Sequence, residues 1–187
     1  MAPPFRCLCI LLTLWVVSSR PSATVRTGTA RSSLWWDTGE ANRLREKVQQ
    51  YRDAGNLAAA EKVCQQGYEL AMRNREYAAA GRYLNNVGGL RLAQLQYRGA
   101  LDAFLKARKS AAAIEDRLEL AAIGLNLSSL HLQMWDFDSA MIEAEQARVA
   151  IAPVLNAYCK PQILLQLGRL HEILADDLAE PFFTERD

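Results

Sequence analysis

The stretch NVGGLRLAQLQYRGALDAFLKA at residues 86–107 returns as NLSSLHLQMWDFDSAMIEAEQA at residues 126–147. Both copies place an Asn, a small residue, an aromatic residue and two alanines at matching sites, 40 positions apart. The same landmarks stand 40 positions earlier, between Tyr51 and Gly67, and begin again at Leu167. A fixed period of this length is typical of solenoid proteins, in which each repeat buries its apolar face by stacking on its neighbours.

Each repeat predicts two antiparallel helices, called helix A and helix B of a unit. Gly55 and Asn56 mark the turn of the first unit, because glycine can adopt the left-handed conformation and asparagine can cap the next helix. Asp136 or Asp138 caps helix B of the third unit, and Pro161 opens helix A of the fourth, where proline is tolerated. The sequence therefore predicts an all-α, right-handed α-solenoid of about three and a half repeats. The units lie near 41–80, 81–120 and 121–160, with a partial unit at 161–180.

Small residues recur at one position of each helix. They are Gly88, Ser128 and Gly168 on helix A, and Ala60, Ala100 and Ala140 on helix B. Because the distance between packed helices depends on the side chains at the contact, we expect these positions to lie where helices cross. Cys64 holds the position of Phe104 and Ala144, so we predict a small buried hydrophobic residue there.

The first 36 residues differ in composition from the repeats. Arg6 precedes an almost unbroken apolar run, Cys7 to Val17, and a polar stretch comes after it, as in a secretory signal. The run is too short to span a bilayer as a helix. Asp37 and Glu40 predict a capping box for the first helix, with Trp36 as its hydrophobic staple. We predict a signal peptide at 1–23, and hence an exported (periplasmic or secreted) protein, a disordered linker at 24–36, the repeat domain at 37–180 and a tail at 181–187.

Composition and spacing do not favour an enzyme. The formal net charge is +1, and there is no basic block for nucleic acid. His131 and His171 are the only histidines, and their separation by one repeat predicts a structural role. Cys64 and Cys159 are far apart, lack CxxC spacing and have no His at the spacing of a nucleophile and its base. We therefore predict no catalytic residue, no metal site, no cofactor, no nucleic-acid partner and no stable membrane span.

The repeat resembles the tetratricopeptide repeat. In the second unit, counted from Gly81, the resemblance is carried by Val87, Gly88, Tyr97, Ala100, Phe104 and Ala107. It covers about residues 38–180. The family's period is about 34 residues, so a period of 40 implies longer helices, and the family's Trp at the fourth position is absent. Long repeats behind a signal-like leader also resemble the amino-terminal arrays of bacterial proteins that carry a caspase-like (CHAT) peptidase domain.

In the tetratricopeptide family the A helices line a concave groove for an extended peptide. Carried onto this sequence, the resemblance implies a groove lined by Arg45, Gln49, Arg52, Arg82, Asn85, Asn86, Asn126, Ser129, Gln133 and Arg169. The arginines suggest an acidic or polar peptide. Asn86 and Asn126 share one repeat position, which Gln166 holds in the fourth unit. In the family an Asn there can hydrogen-bond the ligand backbone, because an amide offers a donor and an acceptor; the alternative is that these amides bond between neighbouring A helices.

These observations lead to two functions. The first is a non-enzymatic interaction scaffold that binds a peptide or protein segment in the groove. The second, implied by the likeness to CHAT-domain proteins, is a regulatory or sensing module of a larger peptidase. A third option is a homodimer through the terminal repeat, because its outer face has no partner helix in the pattern and Leu125, Leu132 and Leu165 form an apolar stripe.

Overall fold

The chain forms an array of helix pairs, as the repeat predicts. The computed structural model describes residues 39–154, 157 and 159–179, and within them there is no strand. The helices are α1 (Gly39–Asp53), α2 (Leu57–Arg73), α3 (Tyr77–Ala93), α4 (Tyr97–Ala113), α5 (Arg117–Gln133), α6 (Phe137–Ile151) and α7 (Lys160–Ala179). Each helix packs against the next one along the chain, which confirms an all-α solenoid. The predicted signal peptide, linker, Trp36–Asp37 cap and tail lie outside the described residues.

The odd-numbered helices are the A helices and the even-numbered ones the B helices. Helix α4 begins at Tyr97 because Gln96 is its N-cap, and Gly99 therefore lies inside the helix. Pro161 is the second residue of α7, within the first turn as predicted. No helix in the described part of the chain is long and apolar enough to cross a bilayer.

The five turns that join α1 to α6 share one geometry. In each, one residue has a positive φ between 54° and 70°, and these residues recur every 20 positions: Gly55, Arg75, Leu95, Glu115 and Trp135. The next amide bonds back to a carbonyl five residues earlier, as Asn56 does to Tyr51 at 2.7 Å and Asp136 to His131 at 3.0 Å. This is the Schellman motif, which satisfies the last carbonyls of a helix while reversing the chain. The half-unit is therefore 20 residues, 17 of helix and three of turn in α2 to α5.

Three of the five turns also cap the helix that comes next. The side chains of Asn56, Asp116 and Asp136 each accept a hydrogen bond, at 3.1 Å, from the amide three residues on. The predicted caps Asn56 and Asp136 are confirmed. Glu76 and Gln96 stand at the same place in the other two turns and make no such bond.

Where helix A and helix B of a unit cross, the sizes of the two facing residues differ from unit to unit. In the second unit the ring of Phe104 lies over Gly88, where an added Cβ would come within 2.5 Å of it. In the third unit the equivalent positions hold Ser128 and Ala144, both fully buried. In the first unit Cys64 takes the aromatic position and is buried as a free thiol, as predicted. Each unit thus keeps a close helix contact with a different pair of residues.

Candidate binding surface on the A helices

The A helices of the second, third and fourth units lie closer together than the described B helices do. Cα atoms of α3 and α5 approach within 8 Å, and so do those of α5 and α7, whereas no two of the described B helices come that close. Long side chains join the B helices instead: Nη1 of Arg108 on α4 donates to both carboxylate oxygens of Glu143 on α6, at 2.8 and 3.0 Å. A solenoid whose A helices are closer together than its B helices curves toward the A side.

A polar network fills the seam between α3 and α5. Nδ2 of Asn126 donates to Oδ1 of Asn85 at 2.8 Å, and Nδ2 of Asn85 donates to Oε1 of Glu119 at 2.9 Å. Arg82 pairs with Asp116 at 3.1 Å and lies 3.7 Å from a Glu119 oxygen. One guanidinium thus faces two carboxylates, so Arg82 does not give this part of the surface the positive charge that the sequence suggested. Of the two alternatives given for Asn126, the structure shows the second: its side-chain amide forms a hydrogen bond to the neighbouring A helix.

Glu119 is the most deeply placed carboxylate of this network. Its side chain is only 13 % exposed. Burial raises the pKa of Glu119 to about 7, and the neighbouring Asp116 acts in the same direction, while Arg82 and the bond from Asn85 oppose the shift. At neutral pH the carboxyl therefore titrates, with one cation and one amide donor beside it.

Helices α1 and α3 lie further apart than the later neighbouring A helices do. Among the described helices these two A neighbours make no Cα approach within 8 Å, unlike the later A helices. Arg45 and Asn86 stand 40 residues before Asn85 and Asn126, so they occupy the positions that meet across the α3–α5 seam. Both are partly exposed.

The predicted residues of α1 are held by partners on their own helix. The Arg45 guanidinium donates to the side chain of Asn42, and Gln49 Nε2 donates to Asp53 Oδ1 at 2.7 Å. Burial lowers the pKa of Arg52 to about 10, with Asp53 opposing the shift, so Arg52 stays charged at neutral pH. Arg45 and Arg52 therefore place two cations on α1.

The seam between α5 and α7 also holds polar side chains. Ser129 is buried, and its Oγ donates to the carbonyl of Leu125 at 3.0 Å. Nε2 of Gln166 donates a hydrogen bond to Ser128 Oγ at 3.4 Å, so a side-chain amide again joins two neighbouring A helices. Gln133 and Arg169 are partly buried, and the Gln133 side-chain oxygen is enclosed with no hydrogen-bond partner among the described residues.

The ten predicted residues all lie on A helices, but they do not form one accessible set. Asn85 and Ser129 are buried, and Arg82 and Asn126 are engaged in the α3–α5 seam. The other six stay partly exposed: Arg45, Gln49, Arg52 and Asn86 in the first two units, and Gln133 and Arg169 in the last two.

Sequence reasoning missed Asp116 and Glu119, which organise the α3–α5 seam. A signal for them exists, since an Asp three residues before a Glu is the spacing of a capping box. Asp116 does accept the backbone amide of Glu119 at 3.1 Å. The Glu119 side chain, however, bonds to Asn85 on α3 rather than returning to its own helix start. The spacing reveals the cap, but not this contact.

The predicted structural residues occupy ordinary packing positions. His131 Nδ1 lies 3.2 Å from Asp136 Oδ2, beside the cap of the next helix. Burial raises the pKa of Cys64 to about 12 and that of Cys159 to about 11, so both remain thiols at neutral pH. Within the described ranges no group of three or more His, Cys, Asp or Glu residues is arranged to hold a metal ion.

Comparison with known protein families, curated proteins and solved structures finds no match to this chain.

Proposed function

We propose that the chain is a non-enzymatic scaffold that binds an extended segment of another protein along the A helices, at the opening between α1 and α3. One observation carries the proposal. Cα atoms of α3 and α5 approach within 8 Å at the seam that the Asn85–Asn126 bond joins, whereas no Cα atoms of α1 and α3 come that close, and the partly exposed Arg45 and Asn86 hold the equivalent repeat positions there. The wider spacing of α1 and α3 leaves more room for an extended segment than the α3–α5 seam does.

The chemistry of the opening favours a segment with acidic side chains. Arg45 and Arg52 supply positive charge on α1. An Asn at the position of Asn86 offers both a donor and an acceptor, which matches a peptide group of an extended chain. The likeness of the repeat to tetratricopeptide arrays, in which A helices line the ligand groove, supports the same assignment. The partner is then a protein or peptide, and neither a cofactor nor a nucleic acid is required.

A display library of random linear peptides tests the proposal, with selection against the purified chain and affinity measured by fluorescence anisotropy. Arg45→Glu or Asn86→Ala should weaken the selected peptides by at least about tenfold, or about 1.4 kcal/mol. The matched control is Arg98→Glu, which reverses an exposed charge on α4 and should leave affinity unchanged. Failure to enrich any peptide, or equal binding by all three variants, contradicts the proposal.

We also propose that binding takes place outside the cytoplasm. The order of Arg6, the apolar run Cys7 to Val17 and the polar stretch after it supports export. Fusion of residues 1–36 to a reporter enzyme that is active only after export should give activity, and Leu11→Arg should abolish it. Equal reporter activity with and without the substitution contradicts export through this segment.

A further inference from the structure

The outer face of α7 is apolar and is not covered by the described part of the chain. Leu164 is 61 % exposed and Leu165 54 %. At Gly168, one turn further on, no described atom beyond the neighbouring residues and backbone of its own helix lies within 4 Å of the place that a Cβ would take. Contiguous exposed apolar surface of this kind marks contact sites in proteins.

The two preceding A helices have the same face covered by their own B helix. Gly168 stands two repeats after Gly88, and at Gly88 the ring of Phe104 fills the space. Leu164 stands one repeat after Gly124, and at Gly124 the Cβ of Ala147 lies 3.0 Å from an added Cβ. The exposed face of α7, which contains Leu164 and Gly168, is therefore equivalent to the face of α3 that α4 covers and to the face of α5 that α6 covers. We call this face of α7 the seat.

We propose that a second copy of this chain covers the seat, with its own α7 in place of a B helix. A two-fold axis perpendicular to α7 makes the two copies of the helix antiparallel, which is the orientation of α4 on α3 and of α6 on α5. An axis level with Gln166 sets Leu164 of each copy opposite Gly168 of the other. Leu164 of each copy then packs over Gly168 of the other copy, as Phe104 packs over Gly88.

Charge agrees with this register. Lys160 and Glu172 each lie six residues from position 166, on opposite sides, or about 9 Å along the helix. The two-fold axis therefore brings Lys160 of one copy level with Glu172 of the other at both ends of the pair. A parallel arrangement would place like charges at the same level, so the pattern favours the antiparallel pair.

The test is the solution mass of the full chain, measured by sedimentation equilibrium over a wide range of concentration. The wild-type chain should exchange between monomer and dimer. Leu164→Glu and Gly168→Leu should each raise the dimer dissociation constant by at least about tenfold. Both positions are open in the described monomer, so helical content by circular dichroism should not fall. The matched control is Ile142→Glu, because Ile142 is 57 % exposed on α6 and away from the seat; it should dimerise as the wild type does.

Three outcomes overturn the proposal. The first is a wild-type chain that stays monomeric throughout. The second is a dimer that survives Leu164→Glu and Gly168→Leu unchanged, since another face then makes the contact. The third is slow alkylation of the thiol of Leu164→Cys in the dilute monomer, because a segment of the same chain would then cover the seat. The proposal requires fast alkylation in the monomer and protection in the dimer.

Discussion

Asn126 on α5 donates its side-chain amide to Asn85 on α3, with Nδ2 and Oδ1 2.8 Å apart, and Asn85 passes the chain of bonds on to Glu119 at 2.9 Å. Asn85 is 8 % exposed, so both of its polar atoms are used inside the seam. Neighbouring A helices are thus joined by directional bonds as well as by apolar contact. Directional bonds fix one register of α3 against α5, because a shift along the helix would leave buried polar groups without partners.

Asn85→Leu should destabilise the array although the repeat itself favours leucine there. Leu125 and Leu165 hold the same position in the next two units. In the second unit, however, the change leaves the Asn126 amide and the Glu119 carboxylate without their shared partner, at a cost of about 2–3 kcal/mol. Urea unfolding followed by circular dichroism measures the loss. Leu165→Asn is the control, because Leu165 is exposed, and it should change stability little; a wild-type midpoint for Asn85→Leu contradicts the role given to the network.

Glu119 should make the stability of the array depend on pH between about 4.5 and 7. Burial raises the pKa of Glu119 from 4.5 to about 7, so across this window the folded chain holds a proton that the unfolded chain has released. The free energy of unfolding therefore falls as pH rises through the window, by up to about 3 kcal/mol, and the contribution is constant outside it. Unfolding in urea at a series of pH values measures the slope.

Glu119→Gln should remove that slope and make the chain more stable than the wild type at pH 8, while Asn85 keeps an acceptor. Glu69→Gln is the control, because Glu69 is exposed on α2, and it should retain the wild-type profile. The pKa of Asp136 is lowered by its cap bonds to Ser139, so its titration lies at lower pH, outside the window. An unchanged slope in Glu119→Gln would assign the pH dependence to another group.

The sequence predicted the helices well because the turn chemistry repeats with the period. Gly55, Asn56, Asp136 and Pro161 each did locally what their residue types favour. The left-handed conformations of Leu95 and Trp135 could not be predicted, since neither residue favours a positive φ. There the two Schellman bonds and the packing of the flanking helices outweigh the local preference, so tertiary structure rather than local sequence sets the turn.

The seam was less predictable, because its contacts do not obey the period. Arg82 meets Asp116, and Asn85 meets Glu119, at a separation of 34 residues rather than 40. That offset depends on how far α5 slides along α3, which the repeat does not reveal. Residue type alone identified Asn126 as an amide with two possible partners; only the register selects Asn85.

Gly88→Ala and Gly89→Ala should have opposite effects although the two glycines are adjacent in α3. An added Cβ at Gly88 comes within 2.5 Å of the Phe104 ring, whereas at Gly89 no described atom beyond the neighbouring residues and backbone of its own helix lies within 4 Å. We expect Gly88→Ala to lose about 1–3 kcal/mol through overpacking, and Gly89→Ala to gain about 0.5–1 kcal/mol from helix propensity. Thermal unfolding compares them. Phe104→Leu in the Gly88→Ala background should recover part of the loss, and equal effects of the two alanines would contradict the packing described for Gly88.

Leu95→Gly should stabilise the array by relieving the turn between α3 and α4. Leu95 has a φ of 60° and is 60 % exposed, so its side chain contributes little burial to set against the strain. A non-glycine residue in the left-handed region costs about 1–2 kcal/mol. After the greater freedom of glycine in the unfolded chain is subtracted, a net gain of about 0.5–1 kcal/mol remains. The reciprocal change, Gly55→Ala, places a Cβ at a φ of 70° and should lose about 1 kcal/mol. The stability of both variants is measured from their urea unfolding midpoints in the same buffer and at the same temperature. A lower urea midpoint for Leu95→Gly would contradict this prediction, because the Leu95 side chain would then contribute a contact that outweighs the backbone strain.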